Sequence, residues 1–139
     1  MSRREIRDSA MKLLFEKSLR DDPMEELYAL AEEIDEIIVN DAVKALADGT
    51  LAHLDELDAI IQQFSPRRAV SRIPKLNLTI LRLGLYEMIY DDGTPVNAAI
   101  SEAVLLAQDY AGGENDVRFI NGVLGAYAKA HPEKDGSNS

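Results

Sequence analysis

Three segments of the C-terminal half constrain this chain most: ILRLGLYEMIY (residues 80–90), AISEAVLLAQDY (99–110) and RFINGVLGAY (118–127). Each is long enough for a helix, and each mixes a broad apolar face with a few polar residues at fixed places. Such faces are stable only when buried against one another, so the expected class is all-α. Residues 76–90 need separate argument, because LNLTILRLGL alternates apolar and polar residues partly like a strand. Its apolar residues are mostly leucine rather than β-branched, and the pattern runs fifteen residues without a turn signal. Apolar residues on nearly all sides point to a central, largely buried helix.

The N-terminal half has the same period. Residues 4–19 carry Ile6, Ala10, Leu13 and Leu14 at helix spacing, with Met11 and Phe15 compatible. Asp21-Asp22-Pro23 stops that helix, and Pro23 suits the first turn of the next. Leu27, Leu30, Ala31, Ile34, Ile37 and Ile38 form a second stripe, which Asn40-Asp41 interrupts or caps. A third pattern runs from Leu46 to Phe64, with a break expected near Asp48-Gly49-Thr50 and a core of Leu51, Leu54, Leu57, Ile60, Ile61 and Phe64. Ser65-Pro66 starts a short basic helix over residues 67–72, which Pro74 ends. Asp91 to Pro95 is turn chemistry. Thr94 or Asn97 is the expected cap of the helix that follows, and Asn115 or Asp116 that of the last helix. Gly122 and Gly125 inside the last helix each cost about 1 kcal/mol against alanine, which suggests close approach of another helix or of a ligand backbone. Residues 132–139 read as a disordered polar tail after a single domain over 1–131.

A chain of 139 residues suits one domain. At that size folding buries roughly two-thirds of the chain's surface, so a core forms without staples. The absence of cysteine removes disulfides, thiol chemistry and thiolate metal sites, and fits a cytoplasmic location. No apolar run approaches the ~20 residues that span a bilayer, so a soluble chain with no membrane role is expected. The net charge of −10 is unevenly laid out. Residues 1–20 hold six basic and three acidic side chains, and residues 61–90 hold five and one. Residues 21–60 hold one basic and thirteen acidic side chains. The acidic bulk repels nucleic acid at long range, yet two basic blocks can form one phosphate-binding face if the fold joins them. The alternative is that these arginines simply solvate helix surfaces.

Catalytic chemistry finds no foothold. His53 lies among Asp55, Glu56 and Asp58, but those spacings make no metal motif. No phosphate-binding loop, dinucleotide fingerprint or nucleophile elbow is present. Pro95 and Asn97 break any calcium loop at Asp91-Asp92-Gly93. The expectation is a protein without catalytic residue, metal or cofactor. Two constellations suit RNA instead. Arg3 and Arg7 share a helix face, with Arg4 beside them, and guanidinium groups grip phosphates in bidentate fashion. Arg118-Phe119 opens the last helix after Gly112-Gly113. Phe119 is either a core residue or a stacking platform for an unpaired base.

Three phrases then carry a resemblance: LR-x-x-x-YE at residues 81–87, I-x-EAV-x-LA at 100–107 and F-[IV]-NGVL at 119–124. In this order and spacing they closely resemble the NusB family of bacterial RNA-binding antitermination factors. A weaker match, RR-x-x-R-x-x-A-x-x-x-LF, opens the chain at residues 3–15, while residues 21–64 match only in helical character. The resemblance implies an all-α, NusB-like domain of about seven helices in two packed small bundles, and no enzyme. It implies binding of the single-stranded boxA element of nascent RNA, together with the small-subunit ribosomal protein that doubles as NusE. That complex joins RNA polymerase in an antitermination complex on ribosomal RNA operons. Carried over by position, Arg3, Arg4, Arg7, Arg72, Arg118 and Phe119 serve RNA, and Phe15, Glu87, Asn115 and Asp116 serve the NusE-like partner. Glu87 follows an apolar stretch, where a charge is costly to bury without a partner, and is expected to face a basic patch of that protein. Arg82 is as readily structural as functional.

The chain departs from the family at Arg68 (commonly tryptophan), Ser71 (aspartate), Asn77-Leu78 (Asp-Arg) and Ser101 (asparagine), and Glu5 interrupts the basic opening. These departures and the acidic middle support an alternative, a NusB-fold adaptor that binds protein but has lost RNA. NusB-like domains also precede some RNA cytosine methyltransferase domains; such a domain is not expected here.

Overall fold

The computed structural model describes residues 2–132. Within them lie seven α-helices and no strand, as the periodicity predicts. The helices fall into two compact units, Met1–Ala52 and His53–Ser139. Residues 133–139, the greater part of the expected disordered tail, lie outside the described residues.

In the first unit, α1 (Arg3–Leu19) begins with a capping box. The Glu5 amide donates to Ser2 Oγ at 3.1 Å, and the Ser2 amide donates to Glu5 Oε1 at 2.8 Å. Glu5, which interrupts the basic opening, thus also serves to start the helix. Ile6, Ala10, Met11, Leu13 and Leu14 are buried on α1, and Val43, Leu46 and Ala47 on α3 (Asp41–Ala52), which packs against it. Between them α2 (Met24–Ala31) buries Leu27, Tyr28 and Ala31. The Tyr28 hydroxyl reaches Asp48 Oδ1 at 2.6 Å, and burial, then this bond, pushes its pKa above the usual tyrosine range.

Two expected boundaries shift, each for a tertiary reason. The α2 stripe was expected to run to Ile38, but the helix ends at Ala31. The Ile38 amide is claimed by Ser9 Oγ at 2.8 Å, and Lys12 Nζ holds the Glu36 carbonyl at 3.2 Å, so this stretch is tied to α1 rather than wound into α2. Asn40 caps α3, accepting from the Val43 amide at 2.8 Å. The break expected at Asp48-Gly49-Thr50 is absent. Helix α3 runs through it, with Thr50 buried and its hydroxyl on the Leu46 carbonyl, and the chain turns at His53 instead. One interior glycine costs only about 1 kcal/mol, so it does not by itself end a helix.

The second unit is organised around α5 (Lys75–Tyr90), which packs against α4 (Leu54–Gln63), α6 (Val96–Leu106) and α7 (Glu114–Ala130). Its buried residues, among them Leu78, Ile80, Leu81, Leu83, Leu85 and Met88, lie on all sides, as a central helix requires. Of the core expected in α4, Leu57 and Ile61 are fully buried. Arg82 makes a bidentate pair with Asp58, both bonds at 2.7 Å, which joins α5 to α4 and gives this arginine a structural partner. Close helix approach occurs at Gly84 rather than at Gly122 or Gly125. A Cβ on Gly84 would stand 3.1 Å from Leu124 Cδ1 and 3.4 Å from Ala103 Cβ, whereas one on Gly122 or Gly125 would meet nothing within 4 Å among the described residues.

The expected caps also change. Asp91 takes the Gly93 amide at 3.0 Å and the Thr94 hydroxyl at 2.8 Å, so Thr94 is spent in the turn and Pro95 stands at the cap of α6. A wide π turn (Ala107–Ala111) ends at Gly112, whose φ of +79° suits glycine alone. Gly113 then caps α7, and Asn115 and Asp116 fall inside its first turn.

Candidate nucleic-acid interface

The head of α7 carries the strongest candidate site. Arg118 projects into solvent with a side chain 72% exposed, leaning on Glu114 at only 3.6 Å. Two charges so exposed attract weakly and leave Arg118 available to an anion. Phe119 is half-buried rather than a core residue. The Arg68 guanidinium lies over its ring, 4.8 Å from the centroid. The helix dipole adds positive potential here, which Glu114 and Asp116 in the same first turn offset.

Arg68 comes from the loop between α4 and α5, which polar side chains build from within. Gln62 Nε2 donates to the Ser65 carbonyl at 2.9 Å and to the Arg68 carbonyl at 3.1 Å, while Gln62 Oε1 accepts from the Val70 amide at 3.0 Å. Ser65 Oγ adds a bond to the Arg68 carbonyl at 3.0 Å. A 3-10 turn (Val70–Arg72) closes the loop and presents Arg72 exposed, as Arg67 also is. The expected short basic helix is thus a stapled loop with one turn of 3-10 helix.

Other sequence candidates divide by burial. Arg3 and Arg4 are exposed on the first turn of α1, but Arg7 is buried at 6% exposure, so the expected arginine face is split. Phe15 is half-buried and Asn115 exposed. Asp116 accepts from Asn77 Nδ2 at 2.8 Å, a bond that pins the start of α7 to α5. Glu87, which the resemblance assigns to the NusE-like partner, does not stand on an open face of this chain. It is buried at 2% exposure, which leaves almost no surface for an outside protein. Sequence reasoning missed Arg68 and Gln62 as a pair with Phe119. The available signal was the Arg67-Arg68 doublet behind Ser65-Pro66; the approach of α7 lies some fifty residues away and left no local trace. Among the described residues no group of three metal-ligating side chains occurs, and no helix is long and apolar enough to cross a membrane.

The fold and this patch define a small all-helical protein with a basic, aromatic surface of a kind suited to nucleic acid. The chain matches the NusB family over residues 4–129, and it belongs to that family. It is 41% identical to the transcription antitermination protein NusB of Acetivibrio thermocellus, over 93% of this chain and 90% of the relative. It is 33% identical to that of Ruminiclostridium cellulolyticum, over 99% and 97%. These relatives bear the name of a regulatory factor, not of an enzyme. Among solved structures, T. maritima NusB matches with a TM-score of 0.82 and 30% identity, covering 96% of each chain. A crystal structure of antitermination factors NusB and NusE in complex with dsRNA matches with a TM-score of 0.80 and 31% identity, covering 92% of this chain and 96% of that one.

Proposed function

We propose that this protein is a transcription antitermination factor. It binds the single-stranded boxA element of nascent RNA together with a NusE-like ribosomal protein, and joins the RNA polymerase antitermination complex on ribosomal RNA operons in the cytoplasm. The observation that carries this reading is the half-buried Phe119 at the head of α7, with the Arg68 guanidinium over its ring and the exposed Arg118 on the same helix turn. An aromatic ring with a guanidinium on it, and a second exposed arginine on the same helix turn, offer stacking to an unpaired base and charge to its phosphates. Arg72, Arg3 and Arg4 supply further phosphate contacts in this proposal. Phe15 and Asn115 serve the protein partner, with Asp116 and Glu87 acting through the fold. The likeness to a NusB solved with NusE and RNA supports the partnership.

A second reading, an adaptor that binds protein without RNA, has one observation in its favour. Leu30 and Ile34 are 46% and 45% exposed within a stretch rich in carboxylates. Titration decides between the two. Labelled boxA strand, and the same sequence as a duplex, are titrated with and without the NusE-like protein. The single strand with partner should bind tightest, since the partner's positive charge offsets the acidic bulk. Phe119→Ala should weaken that complex by about 1–3 kcal/mol, with the dependence on salt unchanged. Partner binding with no RNA affinity under any salt would select the adaptor.

A further inference from the structure

Among the described residues, the Arg68 guanidinium has no carboxylate partner; what it has is the Phe119 ring. Arg82, by contrast, is fully engaged by Asp58. The loop nevertheless holds Arg68 firmly. Its carbonyl accepts from both Gln62 and Ser65, and its amide donates to the Ser65 carbonyl at 3.1 Å. A cation fixed by its backbone, laid on an aromatic face and left without an anion, is a preorganised binding group. A guanidinium offers a flat face and an edge of N–H donors at once, and so can take a base on the face and a phosphate on the edge.

We propose that Arg68 and Phe119 form a two-layer platform for one unpaired RNA base, the base stacking on the outer face of the guanidinium while its N–H edge holds the adjoining phosphate. This rests on the RNA-binding reading and names a base-contacting residue beyond Phe119. Gln62 is then a positioning residue, fixing the loop so that Arg68 lies on the ring.

Planarity and charge can be separated by substitution. Arg68→Lys keeps the charge and loses the flat face. Arg68→Gln keeps a flat polar group and loses the charge. The protein with its NusE-like partner is titrated with the labelled boxA strand at several salt concentrations, the fold of each variant being checked by circular dichroism. Arg68→Lys should weaken binding about five-fold or more and leave the slope against salt unchanged. Arg68→Gln should flatten the slope while retaining more affinity at high salt than the lysine variant. Combining either with Phe119→Ala should cost less than the sum of the single changes, because the two side chains are one platform. Arg68→Lys binding as well as the parent would overturn the stack and leave Arg68 a plain charge. A parent that binds boxA while both variants match it at every salt concentration would remove Arg68 from the site and leave the RNA reading standing. A parent that binds no RNA would overturn both.

Discussion

At the opening of α1, Arg3 and Arg4 stand exposed in a capped first turn while Arg7, one turn on, is buried. In the loop before α5, Arg67 and Arg72 stand exposed around an Arg68 that is stapled through its backbone and laid on Phe119. Both regions are basic, and the first was the more visible in the sequence. Their difference lies in what accompanies the charge. The α1 opening offers charge without an aromatic face beside it, and a cation attracts phosphate without regard to the base attached. The loop region adds an aromatic face from another helix, which a base can use. Burial is the second discriminator. A charged side chain left exposed can serve a ligand, whereas one that is buried, such as Arg7 or Glu87, first serves the fold.

Glu87 puts that discriminator to its hardest test, and the largest effect is expected there. At 2% exposure on α5 it sits where a cation would have neither water nor room. Glu87→Arg should lower folding stability by about 3–5 kcal/mol, the cost of a mismatched buried charge. Urea unfolding followed by circular dichroism measures it. Full retention of stability, with binding of the NusE-like protein lost, would instead restore Glu87 to an open docking surface and break the rule drawn from burial.

The fold itself was largely legible. The period of the apolar residues gave the helices, and the absence of turn signals and of β-branched runs in residues 76–90 separated α5 from a strand. Helix ends were less legible because contacts distant in sequence set them. The Ile38 amide goes to Ser9, twenty-nine residues earlier, and no local pattern announces that α2 must stop short. The site was legible in half. Arg118 and Phe119 are marked by their place at the head of α7, but Arg68 is marked only by the Arg67-Arg68 doublet and a family mismatch, neither of which points to Phe119, and Asp116 gives no sign of the Asn77 bond across thirty-nine residues. Glu5 is a different kind of miss. Its signal, a serine three residues ahead of a glutamate, is local, and the charge of Glu5 masks its part in the cap.

A middle-sized effect separates the arginines of α1. Arg7→Ala should cost about 1–3 kcal/mol of stability, because a side chain only 6% exposed is removed together with the interaction it makes. The double change Arg3→Ala with Arg4→Ala should leave stability within about 0.5 kcal/mol. It should instead reduce the salt slope of RNA binding by about 0.7 for each phosphate contact removed. Thermal melts and salt titrations on the same samples read both quantities. Equal stability losses for Arg7 and for the exposed pair would mean that burial does not sort these arginines.

The smallest effect expected is a pH dependence at Ser2 and Glu5. Hydrogen bonds from the Ser2 backbone, then its side chain, hold the Glu5 carboxyl below its ordinary pKa of 4.5. A carboxylate whose pKa is lower in the folded chain binds its proton more readily when unfolded. Its contribution is therefore complete above about pH 4.5 and is lost as the pH falls through the lower, folded value. Glu5→Ala should melt slightly below the parent at neutral pH, and the gap should narrow as acid protonates Glu5 in the parent. The same variant sharpens the contrast between the two basic regions. If Glu5 served mainly to dilute the charge of the α1 opening, its removal would tighten RNA binding. As a capping residue, its removal should loosen the turn that carries Arg3 and Arg4, and RNA affinity should not rise. A gap in melting temperature that stays constant from neutral pH to acid would show that the ionised carboxylate of the capping box is not what stabilises this helix start.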